Sequence, residues 1–151
     1  MNVLTCRMFG LGCRLLMESR ESGPDKHREA VSLFRFGAEL HIPQSEHLLA
    51  VMYEYGLGAE QDYDQAIIYY RRAADQNYVE AMYNLGIMYC FGRGIQQDYY
   101  RAATLFERAA DIGHAPSMHY LVCFTCFYSL LSMSFAIVYC TGCVRNVAFM
   151  T

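Results

Sequence analysis

Basic residues are few in this chain and nowhere gathered. Twelve Lys and Arg stand against fifteen Asp and Glu among 151 residues, for a net charge of −3. Phosphate neutralisation needs clustered cations, so nucleic acid is not expected as a partner. The basic residues mostly sit beside acids, as in Asp25–Glu29 (DKHRE), which reads as solvated helix surface. The opening, MNVLTCRMFGLGCRLLM, lacks an early basic region and a small-residue cleavage site, so it does not read as a signal peptide. Its two arginines, Arg7 and Arg14, with no acid, would fit a mitochondrial leader, but a repeat begins inside the same stretch. Seven cysteines make an odd number, unlike a secreted disulfide framework, and a reducing compartment is expected.

Catalytic patterns are missing too. There is no HExxH pair and no GxSxG, and no nucleophile is assembled with a base. His114 and His119 flank a helix start and read as exposed loop residues, not metal ligands. Gly56-x-Gly58 and Gly92-x-Gly94 stop short of a phosphate-binding GxGxxG. Gln61 and Gln97 stand where the third glycine would be, and an aspartate follows each. The expectation is a chain with no enzymatic activity and no cofactor.

What is present is repetition. GLGAEQDYDQA from Gly56 returns 36 residues later as GRGIQQDYYRA from Gly92. Laying 45–80 over 81–116 gives 13 identities, among them Leu49/Leu85, Tyr53/Tyr89, both glycine pairs, Gln61/Gln97, Asp62/Asp98 and Ala73-Ala74/Ala109-Ala110. A period of this size signals a helical repeat array. Each unit reads as two helices. Helix A, over about 45–55 and 81–91, has Leu, Met and Tyr at i, i+3, i+4 spacing. The glycines end it, because a helix C-terminus favours a residue that tolerates positive φ. Asp62 and Asp98 cap helix B, and Gln65 supplies capping-box spacing in the first copy. Upstream, Ala30–Leu40 repeats helix B, and Leu11–Leu15 (LGCRL) resembles Leu85–Tyr89 (LGIMY) once a two-residue insertion is allowed. A degenerate first repeat is therefore expected from near Met8, and three copies are about the number a stacked array needs.

These residues carry a resemblance. Leu85-Gly86, Tyr89, Gly92-x-Gly94, Asp98, Ala102, Phe106, Ala109-Ala110, Gly113 and Ala115 closely resemble the signature of the Sel1-like repeat, a relative of the tetratricopeptide repeat. The first full copy departs from it with Ala50 for the helix-A glycine and Asn77 for the loop glycine. The resemblance implies an all-α fold, a short right-handed α-solenoid of about three helix–turn–helix repeats over 8–120, after an extension at 1–7. It implies a protein-interaction adaptor or scaffold, with helix A lining a concave face. Signature positions would pack between helices. That leaves His47, Val51, Glu54 and Tyr55 in one copy, and Tyr83, Ile87, Cys90 and Phe91 in the next, to face a groove suited to a peptide or helix of a partner protein.

After Leu121 the repeat pattern stops, and no charge occurs from Leu121 to Val144, before a short tail at 145–151. As a helix, 121–144 would extend about 36 Å, enough for a hydrocarbon core of about 30 Å. That opens a second reading, a membrane-anchored component of a quality-control or signalling complex; without the span a cytoplasmic location is expected. The same stretch holds Cys123, Cys126, Cys140 and Cys143 as C-x2-C-x13-C-x2-C, near zinc-ribbon spacing, which opens a third reading as a zinc or redox module. The intervening FYSLLSMSFAIVY has no turn chemistry to bring the pairs together.

Overall fold

The computed structural model describes residues 7, 9–15 and 24–122. Every regular element among them is a helix: α1 (helical at 9–15), α2 (Pro24–Glu39), α3 (Pro43–Tyr55), α4 (Tyr63–Asp75), α5 (Val79–Phe91), α6 (Tyr99–Asp111) and α7 (helical at 115–122). Odd-numbered helices are helix A of successive units and even-numbered ones helix B, and neighbours in sequence pack on one another in an α-solenoid. Met8, the four-cysteine segment and the tail lie outside the described residues.

Helix A starts two residues earlier than its apolar spacing suggests, at Pro43 and Val79. Pro43 has its φ preset for a first helical turn and no N–H left to satisfy there. At the other end Gly56 (φ 67) and Gly92 (φ 66) take the left-handed conformation, and their N–H groups return to Met52 O and Met88 O. Gln61 Nε2 then donates to Glu54 O (2.8 Å) and Gln97 Nε2 to Cys90 O (2.7 Å). Both glutamines also reach a tyrosine hydroxyl two residues on, Tyr63 and Tyr99. The repeated Gln-Asp-Tyr thus closes the end of one helix and opens the next. Asp62 Oδ1 accepts from Gln65 N and Asp98 Oδ1 from Arg101 N, each at 3.0 Å. The reciprocal half of the capping box is not formed, because the Asp62 N–H donates instead to Tyr53 O (3.0 Å).

The second glycine of each turn answers to the neighbouring unit. A Cβ on Gly58 would overlap the backbone of His27 in α2, and one on Gly94 would overlap Tyr63 at the start of α4. Both are contacts across 31 residues, so the turn of each unit sits against the helix B of the unit before. The α1–α2 pair obeys the same rule with its insertion. A Cβ on Gly86 would come within 2.7 Å of the Phe106 ring, and one on Gly12 within 2.8 Å of the Phe34 ring. Gly12 thus stands to Phe34 as Gly86 stands to Phe106. The core runs through these rings: Phe34, Tyr70 and Phe106 are fully buried, with Leu49, Met52, Met82 and Met88 between them.

The turn that follows helix B also repeats. His41 (φ 55), Asn77 (φ 61) and Gly113 (φ 96) occupy one left-handed position at intervals of 36. Glycine tolerates it freely, and asparagine and histidine are among the other residues that take it most often.

Candidate binding groove

The eight groove residues named above form four pairs one repeat apart: His47/Tyr83, Val51/Ile87, Glu54/Cys90 and Tyr55/Phe91. Each set lies at i, i+4, i+7, i+8, one face of a helix. Tyr55 and Phe91, at the C-terminal ends of α3 and α5, are 61 % and 58 % exposed, large values for aromatic rings. Val51, Ile87 and Cys90 are half-buried beside them and pack against the core. Burial pushes the Cys90 thiol up, which favours its neutral form.

The pair nearest the helix starts has a packing role as well. His47 sits between Tyr70 (5.8 Å) and Tyr78 (5.3 Å), tilted against both rings, and its Nε2 lies 3.0 Å from Asn84 Nδ2. Tyr83 repeats the arrangement one unit later against Phe106 (5.9 Å), His114 (5.0 Å) and Tyr120 (5.8 Å). Desolvation lowers the His47 imidazole below its ordinary range, with Glu80 opposing, and raises the Tyr83 phenol. His114 is therefore half-buried against an aromatic ring and pairs with Ser117 Oγ at 2.8 Å, which corrects its reading as an exposed loop residue.

Glu54 does not face outward as its spacing suggests. It is 6 % exposed, and its Oε2 accepts the Tyr70 hydroxyl at 2.7 Å. Where the other units place phenylalanine, this one places tyrosine, and a buried hydroxyl requires an acceptor. Burial, then the Glu54 charge, push the Tyr70 phenol strongly up, so it stays a donor. The other oxygen, Oε1, faces Arg93 Nη1 at 3.4 Å, and the Arg93 guanidinium lies over the Phe91 ring at 5.7 Å.

The arginines are more than solvated surface. Arg35 Nη2 donates to Tyr53 Oη and Arg71 Nη2 to Tyr89 Oη, both at 2.8 Å, each from a helix B to the next helix A. Arg101 also reaches Tyr89 Oη (3.5 Å); burial would raise that phenol, but the bonds from Arg101 and Arg71 outweigh it and leave it below its usual range. Arg72 Nη2 donates to Ala38 O (2.9 Å) and Arg108 Nη2 to Ala74 O (3.3 Å), tying each helix B to the end of the one before. Arg72 also meets Glu46, fully buried at the start of α3, at 2.8 Å. A 36-residue period marks like residues at like positions, whereas these contacts join unlike residues in different units.

Among the described residues no group of His, Cys, Asp and Glu could hold a metal ion. No helix among them is long and apolar enough to cross a membrane. Cys123, Cys126, Cys140, Cys143 and nearly all of 121–144 lie outside them.

The Sel1 repeat family model matches residues 43–78 and 79–114, each match beginning at a helix A. No curated protein matches the chain. Among solved structures, a Sel1 repeat protein from Oxalobacter formigenes superposes with a TM-score of 0.73 at 25% identity, over 89% of this chain and 53% of its own. A protective antigen of uropathogenic Escherichia coli with an SLR fold gives 0.68 at 21%, over 92% of this chain and 31% of its own. Cysteine rich protein B of Helicobacter pylori gives 0.62 at 22%, over 78% and 90%. The chain thus spans about half the length of the first and about a third of the second.

Proposed function

Because the chain carries two Sel1 repeats, a module that generally serves protein–protein interaction, we propose that it is a non-catalytic binding scaffold whose helix-A face receives a peptide or helix of a partner protein. The observation that carries this reading is the pair Tyr55 and Phe91. Two exposed aromatic rings at equivalent positions of adjacent units, flanked by half-buried Val51 and Ile87, form a periodic apolar strip. Folding gains little from leaving such rings in water, whereas aromatic anchors dominate the energy of binding surfaces. Tyr83 and Cys90 extend the strip, and His47 closes one end of it. Glu54 acts from beneath, through Arg93.

A photo-crosslinking amino acid placed at Tyr55 or Phe91 in the full chain tests the assignment. The expected adduct is a partner protein that the Tyr55→Ala/Phe91→Ala double variant fails to capture while keeping its helical signal. Crosslinks formed instead from Ile68 or Tyr100, exposed on helices B, would move the site to the opposite face.

A further inference from the structure

We infer that this strip, if it is the binding face just proposed, takes a peptide with a carboxylate beside its apolar anchors, and that Arg93 is the residue that reads it. Apart from Glu54, the eight groove side chains are apolar or neutral. Glu54 is withdrawn: its side chain is 7% exposed, and Tyr70 and Arg93 engage its two oxygens. Arg93 is not withdrawn. It is 47% exposed and spans from Glu54 to the face of the Phe91 ring, so it stands beside that aromatic anchor.

Its hold on Glu54 is loose. The separation is 3.4 Å, against 2.8 Å for Arg72 and Glu46. A guanidinium carries five N–H donors, and among the described residues Glu54 is the one polar partner of the Arg93 guanidinium. Donors remain for a second carboxylate, in the planar geometry that favours two parallel bonds. The cation–π contact with Phe91 restricts the group and lowers the entropy lost on binding. A lysine or arginine at the same point of the partner would meet a like charge, so the site discriminates as well as attracts.

The charge also sets register. One unit earlier the position equivalent to Arg93 is Leu57, which carries none. An acidic residue is therefore read at one junction of the array and not at the preceding one.

A phage-displayed random dodecapeptide library, selected on the full chain, tests this. Wild type is expected to enrich Asp or Glu next to paired apolar residues, and changing that acid to its amide in the synthesised winner should weaken binding about five- to tenfold. Arg93→Gln should abolish the difference between acid and amide, and Arg93→Glu should enrich Lys or Arg instead. Should Arg93→Glu fold poorly beside Glu54, the Gln variant, checked by its melting curve, carries the comparison alone. Apolar winners without charge preference, lost in Tyr55→Ala/Phe91→Ala, would overturn the role of Arg93 while leaving the groove in place. Winners that survive that double variant, or no enrichment at all, would overturn the groove and this inference with it.

Discussion

Replacing Glu46 by methionine should make the protein more stable at neutral pH. Glu46 is fully buried, and its carboxylate meets Arg72 at 2.8 Å and Gln76 Nε2 at 2.7 Å, with His41 Nδ1 at 3.8 Å. Burial raises its carboxyl above the ordinary value of 4.5, and Arg72, His41 and Gln76 offset only part of that rise. One unit later the equivalent residue is Met82, also fully buried. Replacing a buried charge pair by apolar groups of similar size is commonly neutral or stabilising by about 1–4 kcal/mol. Here the gain falls at the low end, about 1 kcal/mol, because Gln76 loses its better acceptor. Arg72 is not stranded: it is 37% exposed and keeps the Ala38 carbonyl. A midpoint about 4 °C higher is expected for a domain of this size.

The pH dependence fixes the sign independently. A carboxyl with a raised folded pKa lets the native state bind more protons than the unfolded chain between 4.5 and that folded value. The wild type should therefore close the gap on Glu46→Met as pH falls through that window, with the stability it recovers fully present below 4.5. His47 acts in the opposite direction, since its depressed folded value removes stability as pH drops below 6.5, but both proteins carry it and it cancels in the difference. Thermal melts followed by circular dichroism between pH 7.5 and 4 provide the assay. A loss of more than about 1 kcal/mol at pH 7.5, or a gap that widens in acid, would show that the pair is net attractive and refute the reasoning.

Gly94→Val should cost more than about 2 kcal/mol, since it combines a left-handed φ of 65 with overlap on Tyr63. Gly92→Val, whose added Cβ would meet nothing closer than 3.4 Å, should cost less but still above about 1 kcal/mol; unchanged urea midpoints for both would sink the hinge argument. Asp98→Ala should lose about 0.5–2 kcal/mol with its cap to Arg101 N, read from the same titrations. Tyr89→Ala empties a site 4% exposed and removes the hydroxyl that accepts from Arg71, so a loss of about 3–5 kcal/mol is expected. Tyr55→Ala should shift stability by no more than about 0.5 kcal/mol, and a larger loss would reassign that ring to the core.

The fold was legible because its devices are local. Gly56 and Gly92 announce a left-handed cap, Asp62 and Asp98 a helix start, and both recur at a fixed spacing. Even the degenerate first unit could be aligned from LGCRL, and Gly12 against Phe34 shows why its glycine is there. What stayed hidden depends on the third dimension. Glu54 sits at a position whose partner in the next copy, Cys90, is half-buried, and only the Tyr70 hydroxyl explains why a charge turns inward there. Arg93 follows the glycine that ends α5 and reads as loop surface until its guanidinium is seen over Phe91. The Glu46–Arg72 pair, too, crosses between helices that periodicity treats one at a time.

The arginine that reaches back from each helix B to a carbonyl 34 residues earlier carries a constraint on how such a chain can lengthen. Arg72 completes the end of α2 and Arg108 completes the end of α4, so each unit is finished by the unit after it. The overlaps that demand Gly58 and Gly94 run the same way, from a later turn to an earlier helix. Inserting 36 residues at Pro43 or Val79 would preserve every such reach, since donor and acceptor would be copied in phase. Inserting 35 or 37 residues there would break the spacing at the new junction. Growth by whole cassettes is therefore nearly free of structural penalty, while small slips inside a unit need a loop to absorb them. Gly12 and Phe34 are two residues further apart in sequence than Gly86 and Phe106, and the glycine still meets the ring, so this chain has absorbed one such slip.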